Sequence, residues 1–201
     1  MGLELIEEVR GISVPTLEMC GVYTVDEEPY TVRMPFRHRN GTWYERKFLT
    51  PGYQPSKTER KVLAPSGSSP HLYNPLMLGP NAGLMFLCEG EYDTLSVIDC
   101  GFDAVGTQGV STFNRTWARL FSGATVIIAF DGDSAGRKAA HDLQTIFKDL
   151  GTDVHVMEVP DESDLNDLHK DGELEPYIWA FLKEAGLTDR LDGAYTGVDD
   201  G

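Results

Sequence analysis

Cysteine is scarce in this 201-residue chain: Cys20, Cys88 and Cys100 are the whole supply, and no two of them form a C-x-x-C pair. Two of the three lie in apolar segments, where a thiol is an ordinary small core side chain. No zinc ribbon is encoded. Long apolar runs are missing too, since nothing approaches the roughly 20 residues needed to span a bilayer. The first thirty residues carry Glu4, Glu7 and Glu8 and lack the cationic start of a secretory leader. A cytoplasmic protein with no membrane partner is therefore expected. His38, His71, His141, His155 and His169 show no ligand spacing among themselves and read as structural or solvated. Positive charge is short overall, with 17 Lys and Arg against 32 Asp and Glu and a net charge of −15. That balance is hostile to nucleic acid, but it is unevenly spread. Residues 33–61 hold eight basic groups against two acidic ones, and residues 81–201 hold eight against twenty-three. The basic stretch is either a solvated hairpin or a surface that holds a nucleic-acid strand with a steep salt dependence.

What is present is a globular composition, 41% hydrophobic, long enough for one α/β domain with a small appendage. Ser13 is placed to cap a short helix closed by Gly21. A β-hairpin is predicted from Tyr30 to Leu49, turning at Asn40-Gly41. From Pro51 to Pro80, proline, serine and glycine interrupt every periodic pattern, so an irregular bridge is expected with a domain boundary near Pro80. This gives a basic N-terminal lobe over 1–80.

Beyond it the chain alternates regularly: strand 84–88, helix 93–100 closed by Gly101, strand 103–107, helix 112–121, strand 125–130, helix 135–149 closed by Gly151, strand 153–159. That is the pattern of an α/β fold with a parallel sheet flanked by helices. In the third helix Ala139, Ala140, Leu143, Ile146, Phe147 and Leu150 recur at helical spacing and face the sheet, leaving Arg137, Lys138 and Asp142 outward. A last helix is expected over 173–186, giving a second domain of 81–186, and the Gly/Asp-rich tail 187–201 is expected to be disordered. Trp43, Tyr44 and Trp117 read as packing residues rather than base-stacking platforms.

The chemistry concentrates in TVIIAFDGDSAGR (125–137). An apolar strand ends abruptly in Asp131 and Asp133, which alternation sends to the same side as the backbone leaves the sheet. Two carboxylates roughly 4 Å apart repel by about 4 kcal/mol at an effective dielectric near 20, so the pair calls for a cation. Oxygen donors select Mg²⁺ or Mn²⁺. LMFLCEGEYD (84–93) repeats the design with Glu89, Glu91 and Asp93. Ligands of such sheets gather outside the carboxyl ends of the strands, where Glu89, Asp131 and Asp133 emerge. Asp133 could serve only as a helix N-cap, and Asp93 either caps a helix or bonds within the metal site. Asp164 and Asp167 follow in an acidic loop.

The pairing of E-G-E-Y-D with F-D-G-D-S-A-G-R resembles the Toprim domain shared by topoisomerases, bacterial-type (DnaG-like) primases and small nucleases. The continuation A-G-R-K-A-A and the segment PDESDLNDLHKDG (160–172) are most similar to primases and phage primase-helicases. Upstream, RGIS (10–13), VRMPFRHRNGTWYERKF and KVLAPSGSSPHLYN (61–74) resemble an abbreviated N-terminal part of a primase RNA-polymerase core. The resemblance implies a nucleotidyltransferase that makes short RNA primers on single-stranded DNA from ribonucleoside triphosphates by two-metal chemistry, in a bacterial or phage-infected cell. It makes Glu89, Asp131 and Asp133 catalytic, and Glu89, Asp131, Asp133 and Asp164 ligands to Mg²⁺ or Mn²⁺. Asp93 and Asp167 become further ligands or supports, and Arg46, Lys47 and Lys61 steer template or triphosphate. Gly90, Gly132 and Gly136 let backbone approach phosphate, or, for Gly136, serve only helix–sheet packing. Two departures stand out. The zinc-binding and helicase modules of primases are absent, so the chain is a fragment or a stand-alone phage-type protein that uses a helicase or zinc-ribbon protein in trans. Asn166 stands where many primases carry another aspartate, which weakens a secondary metal position or leaves it to Asp167. The rival readings are a Toprim nuclease and a catalytically weak nucleic-acid-binding module of a replication complex.

Overall fold

The computed structural model describes residues 2–26, 31–37, 43–49, 62–63, 70–78 and 82–191. Two sheets organise them. The first is antiparallel, in the order β1 (Tyr23–Thr24), β2 (Thr31–Arg37), β3 (Trp43–Leu49) and β4 (Val62–Leu63). Its register runs from Thr31 opposite Leu49 to Arg37 opposite Trp43, in agreement with the hairpin expected over 30–49; Asn40 and Gly41, the expected turn, lie outside the described residues. Alternation along β2 buries Val32, Met34 and Phe36 in one cluster with Ile6, Ile12, Leu17, Val22 and Tyr73.

Two short helices cover that cluster. In α2 (Val14–Met19) the Ser13 hydroxyl accepts the Thr16 N–H, and Gly21 takes a left-handed φ of 74° beyond the end, in agreement with the sequence pattern. Helix α1 (Glu4–Arg10) has no counterpart in that pattern. It is two turns long and buries one side chain, Ile6, so its apolar stripe is too short to register as a period.

The second sheet is parallel, in the order β6 (Ala104–Gly106), β5 (Leu84–Cys88), β7 (Thr125–Ala129), β8 (Asp153–Val156). Strands β5 and β7 are buried throughout, as central strands covered on both faces must be. Their alternate residues enter different cores. Leu84, Phe86, Cys88, Ile127 and Ala129 pack with α3 (Glu91–Asp99), α5 (Leu165–Lys170) and α6 (Leu174–Glu184). Met85, Leu87, Val126 and Ile128 pack with Ala140, Leu143 and Phe147 of α4 (Ser134–Asp149) and with Phe121. Helix α3 belongs to two cores: Leu95 joins the N-terminal cluster and Val97 the sheet cluster. Tyr73 adds a seam, exchanging backbone hydrogen bonds with Gly106.

The α/β class and the alternation of strands and helices expected along the chain stand, with local corrections. Helix α3 starts at Glu91, and β8 stops at Val156, although the Met157 N–H still reaches Ile128 O. The helix expected over 112–121 is a 3₁₀ helix, Arg115–Phe121. Thr112 bonds back to Gly109 O and accepts the Gln108 N–H, a tight turn that delays the start until Asn114 caps Thr116. Trp117 packs edge-on against Phe113, in keeping with a packing role. The acidic segment is not a loop throughout, because Asp164 caps α5 by accepting the Asp167 N–H. The tail expected to be disordered begins with placed structure. Leu187 is buried, Thr188–Arg190 forms a 3₁₀ turn, and Arg190 bonds Thr125 and reaches Asp153. The rest of that tail, 192–201, lies outside the described residues.

Candidate metal centre

Strands β5 and β7 are adjacent and parallel, with Cys88 opposite Ala129, so the residues just beyond their carboxyl ends emerge side by side. Those residues include Glu89 and Asp131. The two ends are coupled directly, since the Asp131 N–H donates to Glu89 Oε2 at 3.4 Å. Behind Glu89 the backbone is pinned, its carbonyl accepting from Thr107 Oγ1 at 2.9 Å and from Gly109 N–H at 3.0 Å.

The segment after β7 has no room to vary. A Cβ on Gly132 would fall 1.8 Å from Pro160 O, and one on Gly136 would fall 2.3 Å from Asp131 O. Glycine at 132 lets the 160–164 segment close in, held by the Gly132 N–H on Ser163 O at 2.8 Å, and this carries Asp164 toward the strand ends. Asp133 is the N-cap of α4, accepting the Gly136 N–H at 2.7 Å. Asp93 does not cap α3, whose N-cap is Gly90. It is buried in the first turn, its Oδ1 accepting the Asn166 N–H at 3.2 Å.

The electrostatics betray crowding of like charge. Burial and then the charge of Asp131 push Glu89 up to about 7, with Asp133 and Asp164 adding to the rise. Burial, then Asp164 and Asp131, push Asp93 to about 8. Burial, then Asp164, Asp133 and Asp167, push Asp131 to about 6. Each of the three therefore holds its proton far above the usual carboxylate range. Asp131 Oδ1 is also buried without a hydrogen-bond partner, the condition that a cation would relieve. The donor set suits a hard divalent ion, because it consists of carboxylate oxygens. Among the described residues, no three acidic, imidazole or thiol groups converge into a preformed ion cage. At the strand ends stands a field of donors that is stabilised by protons or by cations.

The structure thus groups Glu89, Asp93, Asp131, Asp133 and Asp164 electrostatically, with Asp167 acting on Asp131 from α5. Of the basic candidates, Arg46 and Lys47 lie on β3, opposite Met34 and Arg33, with side chains outside the description, and Lys61 lies outside the described residues. Two residues have no role in the site that the sequence pattern would assign. Thr107 follows a strand like many threonines, and nothing local announces its bond to Glu89. Asn166 reads in the sequence only as a missing carboxylate, and its contacts, to Asp93, Ser96 and Arg10, are long-range.

Comparison with known proteins bears on this arrangement. The family model described as Toprim-like matches residues 86–169, from mid-β5 through α5 and across every acidic residue named above. Over these residues, fewer than half of the chain, the sequence is similar to that family. No curated protein matches the chain by sequence. Among solved structures, the chain is similar to the primase fragment of the bacteriophage T7 primase-helicase protein, with a TM-score of 0.66 and 23% identity over 86% of this chain and 72% of that one. It is similar to the zinc-binding and RNA polymerase domains of the Aquifex aeolicus primase, with a TM-score of 0.69 and 18% identity over 90% of this chain and 55% of that one. A DnaG primase catalytic domain bound to single-stranded DNA gives 0.63 and 19% identity over 89% and 76%. At these identities the likeness establishes the fold, and it extends beyond the residues that match the family model into the N-terminal elements. Among the described residues no helix is long and apolar enough to cross a membrane.

Proposed function

We propose that this chain is a primase-type nucleotidyltransferase that extends RNA on a single-stranded DNA template from ribonucleoside triphosphates, dependent on Mg²⁺ or Mn²⁺. The observation that carries the reading is the direct coupling of Glu89 to the Asp131 backbone across two parallel strand ends, inside a cluster where Glu89, Asp93 and Asp131 all resist ionisation. A fold shared with primase RNA polymerase domains supports it.

In this reading Asp131, Asp133 and Asp164 hold the ions, with Asp93 and Asp167 in support. Bound cations would lower the pKa of the attacking hydroxyl and neutralise charge at the leaving oxygen. Glu89 accepts the proton from the 3′-hydroxyl as it attacks the α-phosphate of the next triphosphate and pyrophosphate departs. The pinned carbonyl of Glu89 keeps that carboxylate aimed while the proton moves. Arg46, Lys47 and Lys61 in the basic stretch hold template or triphosphate. We place a division near residue 80 between an N-terminal primase-core lobe (1–80) and the catalytic unit (81–186). We assign the protein to the cytoplasm of a bacterial or phage-infected cell, with a helicase or zinc-ribbon protein as partner in trans.

The test is incorporation of labelled ribonucleotides on single-stranded DNA in Mg²⁺ or Mn²⁺, with and without an annealed primer, using Glu89→Gln as blank. Initiation must bring two nucleotides together on the template, whereas elongation starts from a strand already held there, so a supplied primer should raise incorporation. Metal-dependent degradation of the template without incorporation would replace this reading with a nuclease. Binding without either activity would replace it with an inactive module.

A further inference from the structure

Two positions beyond Asp164 lies a side chain with more long-range bonds than any carboxylate of the site. Asn166 is 1% exposed. Its backbone N–H donates to Asp93 Oδ1 at 3.2 Å, and its Nδ2 donates to Arg10 O at 2.8 Å and to Ser96 Oγ at 2.9 Å. Its Oδ1 accepts from Arg10 Nη1 at 3.2 Å. Arg10 is the last residue of α1, and its guanidinium lies 4.4 Å from the centre of the Tyr92 ring. Its buried Nε finds no acceptor, so the arginine is held there at some cost. A second polar seam runs parallel to the first, with Asp99 accepting from Ser13 and lying 3.0 Å from His169 Nε2, which also lies 3.1 Å from Gly11 O. Between them the two seams clamp α5 against α3 on one side and against the end of α1 on the other, and they tie the start of α2 to α3.

We infer that Asn166 is a positioning residue for the acidic site, locking α5 to α3 so that Asp164 and Asp93 face the same space, and making that alignment depend on the docking of α1 through Arg10. The inference rests on the metal-dependent reading proposed above. Only an amide serves here. It supplies two donors toward Arg10 O and Ser96 and one acceptor toward a guanidinium, whereas an aspartate would set a carboxylate against the Arg10 carbonyl. Asn166 does not ligate an ion, because its one side-chain oxygen already faces the Arg10 cation.

Simple electrostatics and positioning predict opposite signs, and that separates them. Asn166→Asp adds a negative charge beside Asp93, and Arg10→Met removes a positive one, so a purely electrostatic or ligating role would make both variants bind Mn²⁺ more tightly. Positioning makes both bind it more weakly. The readout is free Mn²⁺ by electron paramagnetic resonance during titration of the folded fraction, alongside thermal melts without metal and binding of a single-stranded oligonucleotide. Loss of an outer-shell partner costs about 10- to 100-fold in metal affinity, so Asn166→Asp should weaken Mn²⁺ by about tenfold or more. Arg10→Met, which leaves the Asn166 bond to Ser96, should weaken it by about threefold, with oligonucleotide affinity unchanged. If Asn166→Asp does not fold, Arg10→Met decides alone. Unchanged or tighter Mn²⁺ binding by a folded variant overturns the inference. A wild type that binds no Mn²⁺ at millimolar concentration overturns the metal reading itself, and this inference falls with it.

Discussion

Replacing Asp93 by asparagine should stabilise the metal-free protein, an unusual outcome for a buried residue at a candidate active site. In the fold Asp93 titrates at about 8 because it is buried and faces Asp164, Asp131 and Glu89, while in an unfolded chain an aspartate titrates near 3.9. The native state therefore binds a proton that the unfolded state releases. Stability from this group is fully present below about pH 4 and is lost progressively as pH rises toward 8. At pH 7 the gap between the unfolded pKa and the solution is about three units, which at about 1.4 kcal/mol per unit sets an upper bound near 4 kcal/mol. Relaxation of the surroundings, expressed as an effective dielectric near 20, reduces the expected effect to about 2 kcal/mol. Asparagine keeps an acceptor for the Asn166 N–H and carries no charge at any pH. For a protein of this size about 2 kcal/mol corresponds to a rise in Tm of about 4–8 °C. The assay is thermal unfolding by circular dichroism in EDTA at pH 5, 6, 7 and 8. The variant should gain most at pH 8 and little at pH 5, and saturating Mn²⁺ should favour the wild type by about 2.7 kcal/mol at 100 times its Kd. A variant that melts at or below wild type in EDTA at pH 7 and 8 refutes the reasoning, as does a wild type whose pH dependence it merely copies.

Gly132→Ala should cost about 3 kcal/mol, because its Cβ would meet the Pro160 carbonyl at 1.8 Å, whereas Gly151→Ala, with φ of 73° and open space around it, should cost about 1–2 kcal/mol; urea unfolding of both variants checks the order. Glu89→Gln should lower ribonucleotide incorporation by about 100-fold or more while raising metal-free Tm at pH 8, and a variant that retains full incorporation would remove Glu89 from the proposed chemistry. Reversing Arg46, Lys47 and Lys61 to glutamate should weaken single-strand binding and flatten its log–log salt slope by about 0.7 for each phosphate no longer neutralised, with Mn²⁺ affinity unchanged; identical slopes before and after would deny these residues a phosphate-holding role. Phe147→Ala, which empties a site where Phe113 and Phe121 meet, should cost about 3–5 kcal/mol by the same unfolding assay.

The parallel sheet and the acidic strand ends are legible in the sequence because they depend on local pattern. An apolar run of β-type residues ending in Asp131-Gly132-Asp133 can leave a central strand in few ways, and β5 repeats the arrangement with Glu89. Helix α4 announces itself through a stripe at helical period. Features that depend on distant partners escape. Helix α1 owes its place to Ile6 in a cluster whose other members lie outside it, among them Val32, Met34 and Phe36 of β2. Helix α5 is capped by Asp164, a residue type that suits a loop as well as a cap. Asn166 looks like an absent carboxylate because Arg10, 156 positions away, is invisible to any window along the chain. Boundaries such as the late start of the 3₁₀ helix at Arg115 turn on a threonine bonding back to Gly109, a choice between turn and helix that composition does not decide.

Helix α3 contributes Leu95 to one hydrophobic cluster and Val97 to another, and this has a consequence for dissection of the protein. A stretch trimmed to the sequence that carries the acidic motifs would strip the cover from Leu95, leave the ring of Tyr92 without Arg10 above it, and expose the outer edge of β6 where Tyr73 now pairs with Gly106. Such a truncated piece would present an oily helix face beside an unpaired strand, the combination that drives self-association. The minimal autonomous folding unit of this protein is therefore larger than the stretch that carries its acidic motifs, and expression trials of shortened versions should succeed only when residues 3–24 and 70–78 are retained.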